Sequence, residues 1–229
     1  MRQLDLAAIG NLVDVSAVKA DATRQEAEEM LRIVQKYRCI CAAPMPWLAS
    51  WTVEALKKSN AVVTGVVGFP SGAETTEAKV FQTRQLIVAG CREIDMVMNI
   101  GAFLSGHEET VAHDISAVVD AAANIPVKTI LEVSYLTDDQ ICRGSELLVR
   151  CGVAYVKTGT GWGPGPTTVD HIALIRKTIG NSAKIKAAGG VRDLKTLEAM
   201  YAAGCDRFGL GVRTAEAILS QADAMAVTQ

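Results

Sequence analysis

Apolar residues run along the chain in two alternating rhythms. Short unbroken runs rich in β-branched residues, such as AVVTGVVG at 61–68 and VKTILEV at 127–133, suit strands covered on both faces. Between them lie longer stretches with apolar residues three and four apart, as at Ala27, Met30, Leu31 and Val34, which suit helices laying one face on a sheet. The pattern predicts strands at 11–15, 39–42, 61–68, 94–99, 127–133, 153–157, 184–187 and 207–210. It predicts helices from Asp21 or Thr23 onward and at 47–58, 75–88, 107–123, 137–150, 167–179, 193–203 and 213–225. Thr137 with Gln140 fits a capping box at the start of one of these helices.

Eight strand–helix pairs in strict alternation, with no linker or charge block between them, predict one domain over 1–229 folded as a closed parallel TIM (β/α)8 barrel. AGCREIDMV at 89, CGVAYVK at 151 and AGCDRFGL at 203 repeat one joint: a glycine at a helix end, two or three residues, then a strand. A doubly wound open sheet is the alternative, but no G-x-G-x-x-G follows the first strand.

Three charges interrupt these apolar strands. Lys157 ends VAYVK and is followed by Thr-Gly-Thr-Gly, Lys186 ends a second short run before a glycine pair, and Asp95 sits within IDMVMN. In a barrel, strand ends converge on one face, and an unpaired buried charge costs several kcal/mol, roughly, so the three are expected to meet. One expectation is a structural ion pair with one lysine reaching solvent. The other is chemical: two neighbouring ammonium groups disfavour each other's charge, and a lysine held neutral attacks carbonyls to form a Schiff base, with Asp95 passing the proton.

Composition narrows the partners. Lys and Arg number 23 against 25 Asp and Glu, a net charge of -2 that gives no electrostatic reason to expect nucleic acid. No run approaches the roughly 18 apolar residues of a membrane span. The N-terminal stretch, broken by Asp5 and Asn11, does not read as a secretory signal. Six scattered cysteines and three histidines (His107, His113, His171) make a poor metal signature and suit reduced thiols in the cytoplasm. Lys19, Lys79 and Lys128 read as surface or strand-edge lysines.

Five stations, VVGFPSGAETTEAKVF (66–81), EIDMVMNIGAFLSG (93–106), VKTGTG (156–161), IKAAGGVRD (185–193) and DRFG (206–209), make the chain resemble the deoxyribose-phosphate aldolases, a family of class I aldolases. The resemblance implies a barrel, no metal or cofactor, and small aldehyde and sugar-phosphate substrates: reversible cleavage of 2-deoxyribose 5-phosphate to acetaldehyde and glyceraldehyde 3-phosphate. It makes Lys157 the Schiff-base lysine, Lys186 the lysine that lowers its pKa, and Asp95 part of a proton relay. Cys41, in C-x-x-P with Pro44, is placed near the substrate, as are Asp14 and Ser16 on the first strand and Thr158, Thr160 and Gly161 after the sixth. The family often forms dimers, so a homodimer is one expectation.

The chain departs from the family pattern where the first-strand triplet reads Asp14-Val15-Ser16, without histidine, and where Gly159 replaces a small polar residue. It departs again where Gly211-Val212-Arg213 replaces the serines near the last strand. Backbone N–H groups at Gly189, Gly190, Gly211 and Val212 are the remaining anion donors expected there. Arg213 either meets an anion or faces solvent, paired with Asp206 or Glu216. Trp162 either walls the pocket or packs. A related aldolase acting on another deoxy sugar or aldehyde, a phosphate-binding isomerase without a covalent intermediate, and a silent binding protein stay open as alternatives.

Overall fold

The computed structural model describes residues 2 and 4–227; Met1 and Gln3, within the N-terminal stretch considered above, lie outside the described residues. Eight strands, β1 (Val13–Ala17), β2 (Cys41–Pro44), β3 (Val62–Val67), β4 (Glu93–Val97), β5 (Val127–Ile130), β6 (Tyr155–Lys157), β7 (Lys184–Ala188) and β8 (Arg207–Gly211), pair in parallel and in sequence order, and β8 closes onto β1. Helices α1 (Arg24–Lys36), α2 (Ala49–Leu56), α3 (Thr76–Val88), α4 (Ile100–Leu104), α5 (Glu108–Ala122), α6 (Asp138–Arg150), α7 (Val169–Ile179), α8 (Leu194–Ala202) and α9 (Val212–Val227) surround them. The fold is a (β/α)8 barrel. Among the described residues no helix is long and apolar enough to cross a membrane.

Local chemistry sets the boundaries. Thr23 accepts a hydrogen bond from the Glu26 N–H, and Thr137 forms the reciprocal capping box with Gln140. Thr168 and His171 make a second such box, which gives His171 a structural task. The repeated joint is real: Gly90, Gly152 and Gly204 take φ of 100°, 80° and 110°, a conformation open to glycine that turns each helix back into a strand.

Several elements differ from the sequence pattern. Residues Leu6–Leu12 form a 3-10 turn, so β1 starts at Val13 and not at Asn11. The run at 127–133 stops being strand at Ile130, because Glu132 adopts a left-handed backbone (φ 57°, ψ 64°) and turns the chain aside. Asn99, expected to end a strand, caps α4, a helix the apolar pattern did not reveal. Residues Pro46–Leu48 form a 3-10 turn ahead of α2.

Alternate residues of the strands point to the helices and to the barrel axis. Val13, Val15, Ile94, Met96, Val156, Ile185 and Phe208 are buried between sheet and helices, while Asp14, Glu93, Asp95, Lys128, Lys157, Lys186 and Arg207 fill the interior. This period-two alternation is why charged residues stand inside otherwise apolar strands.

Lys79 corrects the surface reading. It is fully buried on α3, donating to Asp114 Oδ2 on α5 at 2.6 Å and to the Val97 carbonyl at 3.1 Å. The helix buries Lys79, Thr83 and Leu86 while Phe81 and Val88 face outward, so its apolar residues misreport the inner face. Lys79→Met should cost about 3–5 kcal/mol in urea unfolding, because Asp114 is left buried and unpaired, and Lys79→Met with Asp114→Leu should recover most of it. A double variant destabilised by the sum of the Lys79→Met and Asp114→Leu single effects would show that the pair is not coupled.

Candidate active site

Strand register brings the interior charges into contact. Asp95 on β4 lies opposite Lys128 on β5, Lys157 on β6 opposite Lys186 on β7, and Lys186 opposite Arg207 on β8. Asp95 sits at the centre. Its Oδ2 accepts from Lys157 Nζ and from Lys186 Nζ, both at 2.6 Å, and its Oδ1 accepts from Lys128 Nζ at 2.7 Å and Thr64 Oγ1 at 2.9 Å. Asp14 on β1 accepts from Lys186 and from the Arg207 guanidinium, which forks onto Glu93 at 3.0 and 2.8 Å. Gly209 makes room for this: a Cβ there would lie 3.2 Å from Lys186 Cε.

The two lysines of the expected pair differ in how tightly each holds its proton. Burial pushes the Lys157 pKa down, Asp95 opposes it, and Lys186 and Lys128 add to it, leaving Lys157 at about 8. Burial acts on Lys186 too, but Asp14 and Asp95 together outweigh it and hold its pKa above the ordinary value. Asp95 is held well below the carboxylate range: burial opposes its charge, but Lys128, Lys157 and Lys186 outweigh it. Near neutral pH the wall therefore carries one amine that releases its proton readily beside one that keeps it.

Lys157 and Lys186 open on a cavity of about 580 Å³ at the carboxyl ends of the strands. Asp14 and Ser16 line it from β1, Thr160, Gly161 and Trp162 from the β6 loop, and Gly189, Gly190, Gly211, Val212 and Arg213 from the ends of β7 and β8 between them. The β6 and β7 loops touch at Gly161 and Gly189, both at positive φ, where a side chain on Gly189 would press on the Gly161 N–H. Trp162 bridges three loops: its backbone N–H donates to Thr160 Oγ1 at 3.0 Å, its indole N–H donates to the Val18 carbonyl at 3.2 Å, and its ring meets Phe69 edge-on at 6.1 Å.

No protein-family model matches the chain. Among curated proteins, the deoxyribose-phosphate aldolase of Klebsiella pneumoniae is 39% identical over 213 residues, which is 92% of this chain and 86% of that protein. That of Methanothermobacter thermautotrophicus is 42% identical over 202 residues, or 88% of this chain and 90% of that one. The chain belongs to the deoxyribose-phosphate aldolase family. The solved aldolase QR15 superposes with a TM-score of 0.91 at 26% identity, covering 98% of this chain and 99% of that one. The fold also matches the deoxyribose phosphate aldolase of Aeropyrum pernix, a tetramer, with a TM-score of 0.87 at 23% identity over 96% of this chain and 93% of that one.

The residues matched to the family motif are not all brought to the cavity. Cys41 is fully buried opposite Asp14 on the neighbouring strand, and burial with the nearby Asp14 charge pushes its thiol well up, so it stands behind the wall as a neutral filler. Its sulfur shares a pocket with the carboxylates of Asp14 and Glu93 within 4.8 Å, but Lys186, Arg207 and Lys128 already bind those oxygens and oppose an entering cation. Thr158 is likewise behind the wall, where its hydroxyl donates to the Ala188 carbonyl and accepts from the Ala188 N–H, pinning β6 to β7. Arg213 pairs with neither expected acid: Asp206 is held by Arg2 and Arg176, and Glu216 by Arg32.

Three contributors escaped the sequence. Lys128, taken for a strand-edge lysine, is fully buried on Asp95 and Glu93. Arg207, the second residue of DRFG, is held by Asp14 and Glu93, contacts between strands far apart in sequence. Glu132, buried just past β5, accepts from the Thr160 N–H at 3.0 Å and from its hydroxyl, so its left-handed turn fixes the wall beside Lys157. A lone glutamate within the apolar run 127–133 was the available signal.

Replacing Lys186 by Leu removes a cation that lowers the Lys157 pKa. The acid limb of the kcat/KM profile, set by loss of the neutral amine below about pH 8 in the wild type, should move to higher pH. An unmoved limb would eliminate Lys186 as the tuning cation.

Proposed function

We propose that this aldolase works through a Schiff base on Lys157 and cleaves 2-deoxy-D-ribose 5-phosphate reversibly to acetaldehyde and D-glyceraldehyde 3-phosphate. The observation that carries this is the asymmetry of the two lysines on the cavity wall: Lys157 held at about 8, Lys186 held protonated beside it.

In the cleavage direction the neutral Lys157 amine attacks the aldehyde carbon of the open-chain sugar, forming a carbinolamine that loses water to an iminium. Deprotonation of the hydroxyl two carbons away forms the new carbonyl as the carbon–carbon bond breaks, and its electron pair passes into the enamine on Lys157. Protonation of the enamine carbon and hydrolysis release acetaldehyde and restore the amine. Asp95 lies behind both lysines as the shared, ionised acceptor across which a proton is relayed from one to the other; Lys186, facing the cavity, is the acid that meets the departing hydroxide of the carbinolamine.

The anionic end of the substrate is assigned to the backbone N–H groups around Gly189, Gly190, Gly211 and Val212 at the start of α9, with Arg213 on the same wall in place of hydroxyl side chains. Six free thiols, four of them buried, favour a reducing cytoplasmic location. The barrel alone supplies every residue given a role here, which supports a single-domain enzyme.

Borohydride trapping followed by peptide mapping tests the proposal. Acetaldehyde and 2-deoxyribose 5-phosphate should each leave a reduced adduct on Lys157, and Lys157→Ala should lose both adducts and at least about a thousandfold in activity. An adduct with acetaldehyde alone would move the substrate to another aldehyde or sugar, and an adduct elsewhere would refute Lys157.

A further inference from the structure

Lys128 has no place in the chemistry above, yet it is among the most enclosed cations of the barrel. It is fully buried on β5 and does not reach the cavity. Its ammonium lies 2.7 Å from Asp95 Oδ1, 2.7 Å from Glu93 Oε2, 3.9 Å from Asp14 Oδ2 and 3.4 Å from Thr64 Oγ1. Every strand but one contributes to its polar surroundings: Asp14 from β1, the Cys41 thiol from β2, Thr64 from β3, Glu93 and Asp95 from β4, with Lys157, Lys186 and Arg207 completing the network from β6, β7 and β8.

The charges of this interior sum in a telling way. Asp14, Glu93 and Asp95 supply three negative charges, and Lys128, Lys186 and Arg207 supply three positive ones. Lys157 is the fourth cation, and the interior is neutral only when Lys157 has released its proton. The balance rests on Lys128, because Asp95 faces three lysines through two oxygens. With Oδ1 committed to Lys128 and Thr64, only Oδ2 remains for Lys157, and Lys186 shares it.

We propose that Lys128 is a positioning residue for Lys157: it fixes Asp95 through Oδ1 and offsets the Glu93 charge, so that Asp95 stabilises the Lys157 ammonium with a single, shared oxygen. The inference rests on Lys157 being the Schiff-base lysine. Without Lys128 the interior would carry an excess negative charge and an Asp95 free to turn both oxygens to Lys157, and Lys157 would hold its proton. Without the Glu93 charge the excess would be positive, and Lys157 would release its proton at lower pH.

The test is the acid limb of kcat/KM against pH for Lys128→Met and, separately, for Glu93→Gln, which preserves the shape of the site and guards against a Lys128 variant that does not fold. Lys128→Met should move the limb upward by about one to three pH units, the range for a nearby charge, and Glu93→Gln should move it downward. Shifts of opposite sign are a signature that general loss of structure does not produce. A limb that stays put in the folded variants, or moves the same way in both, would overturn the role of Lys128. Borohydride trapping with acetaldehyde on the same proteins separates the two levels: an adduct on Lys157 with an unmoved limb removes only the Lys128 role, whereas an adduct elsewhere removes the assignment of Lys157 itself.

Discussion

One carboxylate shared among three ammonium groups governs this protein. Asp95 is fully buried, with Lys128 on one oxygen and Lys157 and Lys186 on the other. A buried carboxylate so surrounded stays ionised, and because its charge is divided, none of the three lysines gains all of it. Lys186 has Asp14 as a second partner and Lys128 has Glu93. Lys157 has neither and opens on the cavity, so the most weakly supported cation is also the one a carbonyl can reach. The barrel makes this arrangement available by delivering alternate residues of its strands to one axis.

The fold was legible because the strands and helices have different periods and three of the joints reuse a glycine at positive φ. The core of the site was legible because Lys157, Lys186 and Asp95 are charges within apolar strands. Lys128 has the same character but stands one residue from the start of its strand, where a lysine can be imagined reaching solvent; only the register that sets it opposite Asp95 reveals its burial. Lys79 was hidden for a different reason. On α3, apolar Phe81 and Val88 face outward, so the periodicity that locates the inner face of other helices fails there. Glu132 and the loop it secures depend on a backbone reversal that no apolar pattern encodes.

Around the lysines, the mouth is built from loops tied to one another more than to the barrel. Glu132 holds Thr160, Thr160 holds the Trp162 backbone, and the Trp162 ring spans to Val18 and Phe69. The walls thus share one hydrogen-bonded strap, while the charge state of Lys157 is set below it by Asp95 and its partners. The departure from the family pattern at Gly211-Val212-Arg213 lies outside the hydrogen bonds around Asp95 and leaves them intact.

The most direct measurement is an NMR titration of side-chain-labelled lysines in the free protein, with Lys157 assigned by substitution. Lys157 should titrate with a midpoint near 8 while the Lys186 and Lys128 signals remain those of ammonium groups through that range. A Lys157 midpoint at or above the ordinary 10.5, or a Lys186 that releases its proton first, would contradict the division of charge around Asp95.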